Sequence, residues 1–282
     1  MAQRSKPAAQ VPSTGNASPV SVVVPTHREE KNVEALTRRL FAAMRQNNIP
    51  AELIFVDDDS GEGTAETVRI VDRLQLEGFD VRVRVRKAKE GRGLSSAVLV
   101  GLLEEARHDT LLVMDADLQH EPETAPLVVR PILQGTADFA VGSRHVGNAQ
   151  VDEGWPLARR VISWGATALA RPLTTCSDPM SGFFALPRST LQRAKRLNPT
   201  GYKIGLELMV RCGCTRIAEV PIRFRDREHG ESKLTMKQNV QYLAHLARLY
   251  WFAYPALVVL VVLCALALCA AAVWLLLLFM VL

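Results

Sequence analysis

The sequence predicts an α/β protein in which helices cover both faces of a mostly parallel sheet, followed by an amphipathic helix and one membrane-spanning helix. Short β-branched runs alternate with segments of helical periodicity, which is the order expected of a parallel sheet. Two of these runs end in clustered carboxylates. No charged residue occurs from 255 to 282, and a bilayer requires roughly 20 consecutive apolar residues.

The first half of the chain has a β-α-β-α-β order. Three buried strands are predicted at 19–24, 53–56 and 110–114, with helical spacing after the first two. Thr64 is expected to cap the second helix. The run at 81–86 alternates strictly between valine and arginine. It is therefore expected to form a half-exposed strand whose basic face is either a solvated sheet edge or a strip that faces lipid headgroups.

Carboxylates follow the second and third strands. Three aspartates occupy 57–59, and Asp115 and Asp117 follow the third strand with Gln119 close behind. Open parallel sheets bind ligands beyond the carboxyl ends of their strands. Hard oxygen ligands suit Mg²⁺ or Mn²⁺, which often take their remaining ligands from the phosphates of a substrate. A lone Asp-x-Asp would fit a solvated turn, but two acidic strand ends on one edge predict a metal–diphosphate site, where the Pro25 turn could hold a nucleobase.

Basic residues of the second half are candidates for binding anions. Arg144 ends a strand predicted at 139–144, and Arg159 precedes an apolar helix at 161–169. The polar loop at 223–233 contains several potential phosphate ligands. It is interpreted either as a lid that closes over a nucleotide or as a solvated linker.

Composition favours a membrane surface over nucleic acid as the partner of the positive charge. The net charge is +5, but no motif that combines aromatic and basic residues for nucleic-acid binding occurs. Residues 1–19 lack an apolar signal region and are expected to be a disordered tail. Residues 20–233 are expected to form the catalytic domain. An amphipathic interfacial helix at 234–254, with His245 on its polar face, and an anchor at 255–282 would then hold this domain on the cytosolic side.

Seven motifs, taken in order, resemble those of the dolichol-phosphate mannose synthases, which are inverting glycosyltransferases with the GT-A fold. They are VVPT (23–26), VDDDS (56–60), MDADLQH (114–120), VGSR (141–144), DPMSGFF (178–184), GYKI (201–204) and DREHGESK (226–233). The ordered set is far more specific than any single motif. A single C-terminal anchor is similar to the form of the enzyme that works as one polypeptide.

The resemblance implies three groups of site residues and the catalytic role of four of them. Donor-binding positions are Pro25, His27, Glu29, Val56, Asp58, Asp115, Ala116, Asp117, Arg227 and Lys233. Metal-binding positions are Asp115, Asp117 and Gln119, and positions that bind the acceptor phosphate are Arg144, Arg159 and Ser163. The catalytic residues would be Asp115, Asp117, Arg144 and Arg227. His27 departs from the family, which usually has tyrosine there.

The resemblance also implies a reaction and a location. Mannose would pass from GDP-mannose to dolichyl phosphate in the endoplasmic reticulum membrane, with Mg²⁺ or Mn²⁺ as cofactor and no obligatory protein subunit. A phosphate monoester is mostly dianionic at neutral pH, since its second pKa is about 6, so no general base is expected. Two alternatives stay open: a glucosyltransferase that uses UDP-glucose, and a non-catalytic nucleotide-sugar sensor.

Overall fold

A seven-stranded sheet with the strand order β3-β2-β1-β4-β7-β5-β8 forms the centre of the molecule. The structure, a computed structural model, describes residues 18–87, 89, 91–151, 157–197, 203–225 and 236–281. The strands are β1 (Val20–Thr26), β2 (Ala51–Asp57), β3 (Val81–Val85), β4 (Thr110–Val113), β5 (Phe139–Ser143), β6 (Gln150–Val151), β7 (Phe184–Pro187), β8 (Ile217–Pro221) and β9 (Arg223–Phe224). Within the described part of the sheet, β7 alone runs antiparallel to its neighbours. A small parallel sheet pairs β6 with β9.

Helices cover both faces of the large sheet, as predicted. They are α1 (Glu30–Gln46), α2 (Glu62–Leu76), α3 (Leu94–Val100), α4 (Ala125–Leu133), α5 (Leu157–Ala170), α6 (Arg188–Gln192), α7 (Ile204–Arg211), α8 (Met236–Ala253) and α9 (Pro255–Val281). One core contains side chains of α1, α2 and α4, and the other contains side chains of α3, α7 and α8. Because side chains alternate along a strand, Val22 and Val24 of β1 pack in the first core and Val23 packs in the second.

The predicted cap at Thr64 is wrong. The helix α2 begins two residues earlier, and Thr64 lies in its first turn. Its hydroxyl accepts a hydrogen bond from the Ser60 backbone N–H at 2.8 Å and donates one to the Asp57 carboxylate. Thr64 therefore turns inward because a buried carboxylate at the end of β2 requires a donor.

The strand β3 lies at the sheet edge as predicted, but its arginines do not form a solvated basic face. Arg82 contacts the buried carboxylate of Glu52, and Arg84 lies 3.2 Å from Glu105. Arg86, just after the strand, is completely buried. The prediction of a solvated basic face is therefore wrong, because these arginines pair with acidic residues of other elements.

One face of α8 packs against the sheet domain, which comprises β1 to β9 and α1 to α7. Leu246 and Leu249 are buried in the second core, whereas Val240, Leu243 and Trp251 remain exposed. Three tyrosine hydroxyls also donate to carbonyl oxygens at the end of α5 and just after it. These bonds join Tyr242 to Ala166 O, Tyr250 to Leu169 O, and Tyr254 to Pro172 O.

The prediction that His245 lies on an exposed polar face of this helix is wrong. The ring is buried, and its Nε2 lies 2.6 Å from Glu207 Oε2 of α7. Arg211 contacts the same carboxylate. This buried cluster ties α8 to α7 of the sheet domain.

The helix α9 fits the predicted membrane anchor. Its first eighteen residues, Pro255–Ala272, have a mean hydropathy of 2.8, and none of that window is buried inside the molecule. Among the described residues it is the one helix that is long and apolar enough to cross a bilayer.

Candidate active site

The two acidic strand ends meet at one edge of the sheet, as predicted. The strand β1 pairs in parallel with β2 on one side and with β4 on the other. Asp57, which ends β2, is used internally, because its Oδ2 accepts a bond of 2.8 Å from Thr26 Oγ1. The carboxylates that remain for a ligand are therefore those just beyond the strands, at Asp58 and after β4.

Five of the implied donor-binding positions, those that the resemblance assigns to the guanosine part, lie at or just after the ends of β1 and β2; they are Pro25, His27, Glu29, Val56 and Asp58. Pro25 and Val56 are neighbours in the strand register. His27 Nδ1 lies 3.1 Å from the carbonyl oxygen of Asp58, so this ring nitrogen carries the donated hydrogen. The ends of β1 and β2 are thus held together both by the backbone pairing of the strands and by the bond from His27 to Asp58 in the loops that follow.

Two of the carboxylates in this group are oriented by neighbouring side chains. Glu29 Oε2 accepts a bond of 2.9 Å from the amide of Asn32, which is buried. The Asp58 carboxylate accepts bonds from Arg86 and from the backbone N–H of Gly93.

The Asp115–Gln119 segment forms a buried turn at the end of β4. Asp115 is the more open carboxylate, with 32% of its side chain exposed, whereas Asp117 and Gln119 are buried. Asp117 Oδ1 accepts a bond of 3.2 Å from the Gln119 N–H, and Gln119 Nε2 donates to Arg225 O at 3.0 Å. Leu118 between them has a φ of 58°, a left-handed conformation that is rare for leucine and typical of functional turns.

The three candidate metal ligands form a set of oxygen donors. No group of three histidine, cysteine, aspartate or glutamate side chains suited to a metal occurs among the described residues. Because two carboxylates and one amide offer oxygen donors, they suit a hard cation that takes its other ligands from water and phosphate better than a closed zinc site, which uses nitrogen and sulfur donors.

Arg144 forms a buried, two-pronged ion pair with Asp178. Its Nε and Nη2 donate to the two carboxylate oxygens at 2.8 and 2.7 Å, and its backbone N–H donates to Oδ2 at 2.9 Å. Burial opposes both charges, but Asp178 raises the pKa of Arg144 and Arg144 lowers the pKa of Asp178. Arg144 is thus held rigidly in the charged form that an anionic ligand requires.

Lys203 and His120 also face this centre, and sequence reasoning assigned neither a role. Lys203 Nζ donates to Met180 O at 2.9 Å. Burial and the nearby Arg144 lower the pKa of Lys203 to about 8, although Asp115 opposes this shift. Burial lowers the pKa of His120 to about 4, so its ring is neutral at pH 7. Both residues stand in the quoted motifs at 114–120 and 201–204, but a motif alone does not reveal which charges meet.

Gly182 allows the loop before β7 to approach Asp115 closely. A β-carbon at this position would lie 2.8 Å from Asp115 Oδ2. The loop that carries Asp178 and the turn that carries Asp115 are therefore in van der Waals contact, and a side chain in place of the glycine would displace the Asp115 carboxylate.

Four of the predicted site residues lack a described side chain. Arg227 and Lys233 lie outside the described residues, and Arg159 and Ser163 lie on α5 at positions whose side chains are not described. Their roles stay predictions.

Comparison with known proteins identifies the family. The model of glycosyl transferase family 2 matches residues 21–194. The chain is 44% identical over 275 residues to the dolichol-phosphate mannosyltransferase of Mycosarcoma maydis, covering 94% of this chain and 91% of the relative. It is 45% identical over 244 residues to that of Saccharomyces cerevisiae, covering 84% and 88%. The chain belongs to the dolichol-phosphate mannosyltransferases of glycosyl transferase family 2.

Two solved structures confirm the fold of this mannosyltransferase. Mannosyl-3-phosphoglycerate synthase from Rubrobacter xylanophilus superimposes with a TM-score of 0.58 at 18% identity, covering 83% of this chain and 74% of that one. Glucosyl-3-phosphoglycerate synthase from Mycobacterium tuberculosis, in complex with Mn²⁺, uridine diphosphate and glucosyl-3-phosphoglycerate, gives 0.56 at 19% identity, covering 84% and 80%. At these identities the likeness concerns the fold alone, and it agrees with the predicted GT-A architecture.

Proposed function

We propose that this transferase moves mannose from GDP-mannose to dolichyl phosphate, giving dolichyl β-D-mannosyl phosphate and GDP. The product would serve as a mannose donor for protein glycosylation and the synthesis of GPI anchors. The observation that carries the proposal is the close approach of the Asp115 turn to the loop that carries Asp178, the partner of Arg144: a β-carbon on Gly182 of that loop would lie 2.8 Å from Asp115 Oδ2. Lys203 Nζ donates to Met180 O of the same loop at 2.9 Å. Carboxylates on one side and fixed cations on the other suit a reaction between two phosphate-bearing substrates.

The donor would lie along the carboxyl edge of the sheet. Its guanosine would occupy the loops after β1 and β2, and its diphosphate would reach the turn after β4. Arg227 and Lys233 are proposed to contact the donor phosphates. The contacts at the ends of β1 and β2 support this placement, because Asn32 orients Glu29 and Arg86 orients Asp58 in the absence of a ligand.

A divalent cation, Mg²⁺ or Mn²⁺, is proposed to bind Asp115, Asp117 and Gln119. Such a cation would neutralise charge on the departing diphosphate. The oxygen donors of this turn fit it, and the neighbouring structure from Mycobacterium tuberculosis was crystallised with Mn²⁺. The chain's own part is to hold the Asp117 carboxylate in place through the Gln119 backbone N–H and the left-handed turn at Leu118.

The acceptor phosphate would approach from the side of Arg144, with Arg159 and Ser163 as further contacts. A dianionic phosphate attacks without losing a proton, so the site needs cations to bring two anions together and does not need a base. Arg144 suits this role because Asp178 fixes both prongs of its guanidinium. In-line attack on the anomeric carbon would invert an α-linked donor to a β-linked product.

The membrane would supply the second substrate. The exposed apolar residues of α8 and the unburied window Pro255–Ala272 of α9 support an arrangement in which the catalytic domain lies against a lipid surface. We place the enzyme in the endoplasmic reticulum membrane with its catalytic domain in the cytosol, acting without an obligatory subunit.

Incubation of full-length protein with labelled sugar nucleotide and dolichyl phosphate tests the proposal. Label from GDP-mannose should enter the lipid fraction as a β-linked mannosyl phosphate. Transfer of glucose from UDP-glucose, with none from GDP-mannose, would favour the glucosyltransferase. Binding of the nucleotide sugar without transfer to any lipid phosphate would favour the sensor.

A further inference from the structure

Three ionisable side chains are buried together between α7 and α8. Glu207 and Arg211 of α7 and His245 of α8 form this group, which we call the Glu207 cluster, and none of them is more than 8% exposed. Nε2 of His245 donates to Glu207 Oε2 at 2.6 Å, and Arg211 contacts Oε1. A buried ion pair often adds less stability than apolar packing would, but it requires one relative position of the two helices.

The other end of α7 lies against the acceptor side of the site. The backbone N–H of Glu207 donates to Lys203 O at 3.3 Å, and Lys203 Nζ donates to Met180 O at 2.9 Å. The loop that contains Met180 also carries Asp178, which holds the guanidinium of Arg144. The helix α7 therefore joins the Glu207 cluster to the loop that supports Arg144.

The helix α8 leads directly into the proposed membrane helix α9. Tyr254 alone separates them, and helical backbone bonds continue across it, from its N–H to Tyr250 O at 2.8 Å and from the Val258 N–H to its own carbonyl oxygen at 3.0 Å. Near the end of α8, the ring of Phe252 packs on Arg211, whose Cζ lies 4.7 Å from the ring centroid. Because an aromatic face attracts a cation, this contact also joins the Glu207 cluster to the entry of α9.

The two proposed substrates reach the enzyme in different ways. A sugar nucleotide arrives from water, whereas the phosphate of a long-chain lipid stays near the surface of the bilayer. The acceptor side of the site must therefore lie at one height above the membrane, and a misplacement of about 1 Å can lower a rate about 100-fold. The contacts that run from α9 through α8 and the Glu207 cluster to α7 are suited to fix this height.

We propose that Glu207 and His245 are positioning residues that set the height of the acceptor side above the membrane. They hold α7, and with it the loop that supports Arg144, at a fixed distance from α9, so that a phosphate in the bilayer surface meets the guanidinium. This inference rests on the proposed lipid-phosphate acceptor. Neither Glu207 nor His245 is assigned a contact with a substrate.

Mannosyl transfer by full-length protein, with dolichyl phosphate either in vesicles or in excess detergent, tests the proposal. In detergent the lipid is not held at one height, because a micelle adapts its shape to the protein. In His245→Ala, kcat/KM for dolichyl phosphate should fall at least about 10-fold in vesicles and less than about threefold in detergent, with the KM for GDP-mannose within about threefold of wild type in both. A merely structural loss would lower the activity in detergent at least as much as in vesicles.

Two further variants separate position from stability. In His245→Gln an amide nitrogen can replace the Nε2 donor, so the ratio of the vesicle to the detergent activity should return to within about twofold of wild type. Glu52→Gln is the matched control, since it changes a buried carboxylate whose partners Arg82 and Arg107 lie outside α7 and α8. Its ratio should equal that of wild type even if its thermal stability falls.

Four results would overturn the proposal. They are a folded His245→Ala protein with the wild-type ratio, a ratio in His245→Gln as low as in His245→Ala, a lowered ratio in Glu52→Gln, and an unchanged ratio in Phe252→Leu. The last variant removes the aromatic ring from Arg211 but keeps an apolar side chain, and it decides if His245→Ala does not fold: a ratio lowered about twofold or more supports the proposal. Wild-type protein that transfers no mannose to dolichyl phosphate in either medium would instead contradict the proposed function.

Discussion

Replacement of Asp178 by asparagine should cost much of the stability around the acceptor side of the site. The carboxylate is fully buried and accepts three bonds from Arg144, of which two converge on Oδ2. An asparagine oxygen in the Oδ2 position keeps those two bonds. Its amide nitrogen then faces Arg144 Nη2, so the bond of 2.7 Å is lost and two donors oppose each other. One charged hydrogen bond and an unbalanced buried charge together correspond to about 2–4 kcal/mol.

Thermal unfolding of the full-length protein in detergent measures this cost. At about 2–4 °C per kcal/mol, the Tm of Asp178→Asn should fall by roughly 4–16 °C. The KM for dolichyl phosphate should rise as well, because the guanidinium of Arg144 is no longer held in place, and the KM for the sugar nucleotide should change little.

Asp109→Asn serves as the control, since its side chain is 96% exposed and its ion pair with Arg188 is 3.7 Å long. Such a surface change should alter the free energy of unfolding by less than about 0.5 kcal/mol. Equal Tm values for wild type and Asp178→Asn would refute the assignment of this pair as the support of Arg144.

Two further predictions concern the carboxylates of Asp115 and Glu52. Gly182→Ala should lower kcat about 10-fold or more, because the added methyl group displaces Asp115. Gly165→Ala is the control: no atom lies near a β-carbon at this helical position, so the stability of the protein should be unchanged or slightly higher. A Gly182→Ala enzyme with the wild-type kcat would contradict the close approach of Gly182 to Asp115. For Glu52, burial raises the pKa, but bonds from Ser21, Arg82 and Arg107 lower it from 4.5 to about 2. Its ionisation therefore stabilises the fold by about 3 kcal/mol above pH 4.5, and this is lost as the pH falls toward 2. Denaturant unfolding should show a difference between wild type and Glu52→Gln that shrinks over this range, and a constant difference would contradict the shift.

The sheet and its ligand-binding edge could be predicted from the sequence because both depend on local patterns. Runs such as 20–24 and 53–56 are almost entirely apolar and rich in valine and isoleucine, which is typical of strands buried on both faces. Parallel order then placed the ends of β2 and β4 on the same edge, with β1 between them. The location of the Asp115 turn at this edge could be predicted from its position directly after a strand.

Pairing between distant charges could not be predicted from the sequence. Arg86 and Asp58 are 28 residues apart, and Arg144 and Asp178 are 34 apart. The alternation along β3 predicts that its arginine side chains share one face of the sheet, but it does not predict which acidic residues pair with them. His245 was misplaced for the same reason, since its partner Glu207 belongs to another helix.

The rate of mannosyl transfer by Asp117→Asn tests the central claim most directly. The amide can still accept the bond from the Gln119 N–H, so the turn and the fold should be kept while the carboxylate charge is lost. With GDP-mannose, dolichyl phosphate and Mg²⁺ or Mn²⁺ present, we expect the rate to fall at least about 100-fold, with an unchanged circular dichroism spectrum and membrane association. A folded Asp117→Asn protein that transfers mannose within about threefold of the wild-type rate would contradict the proposed donor site.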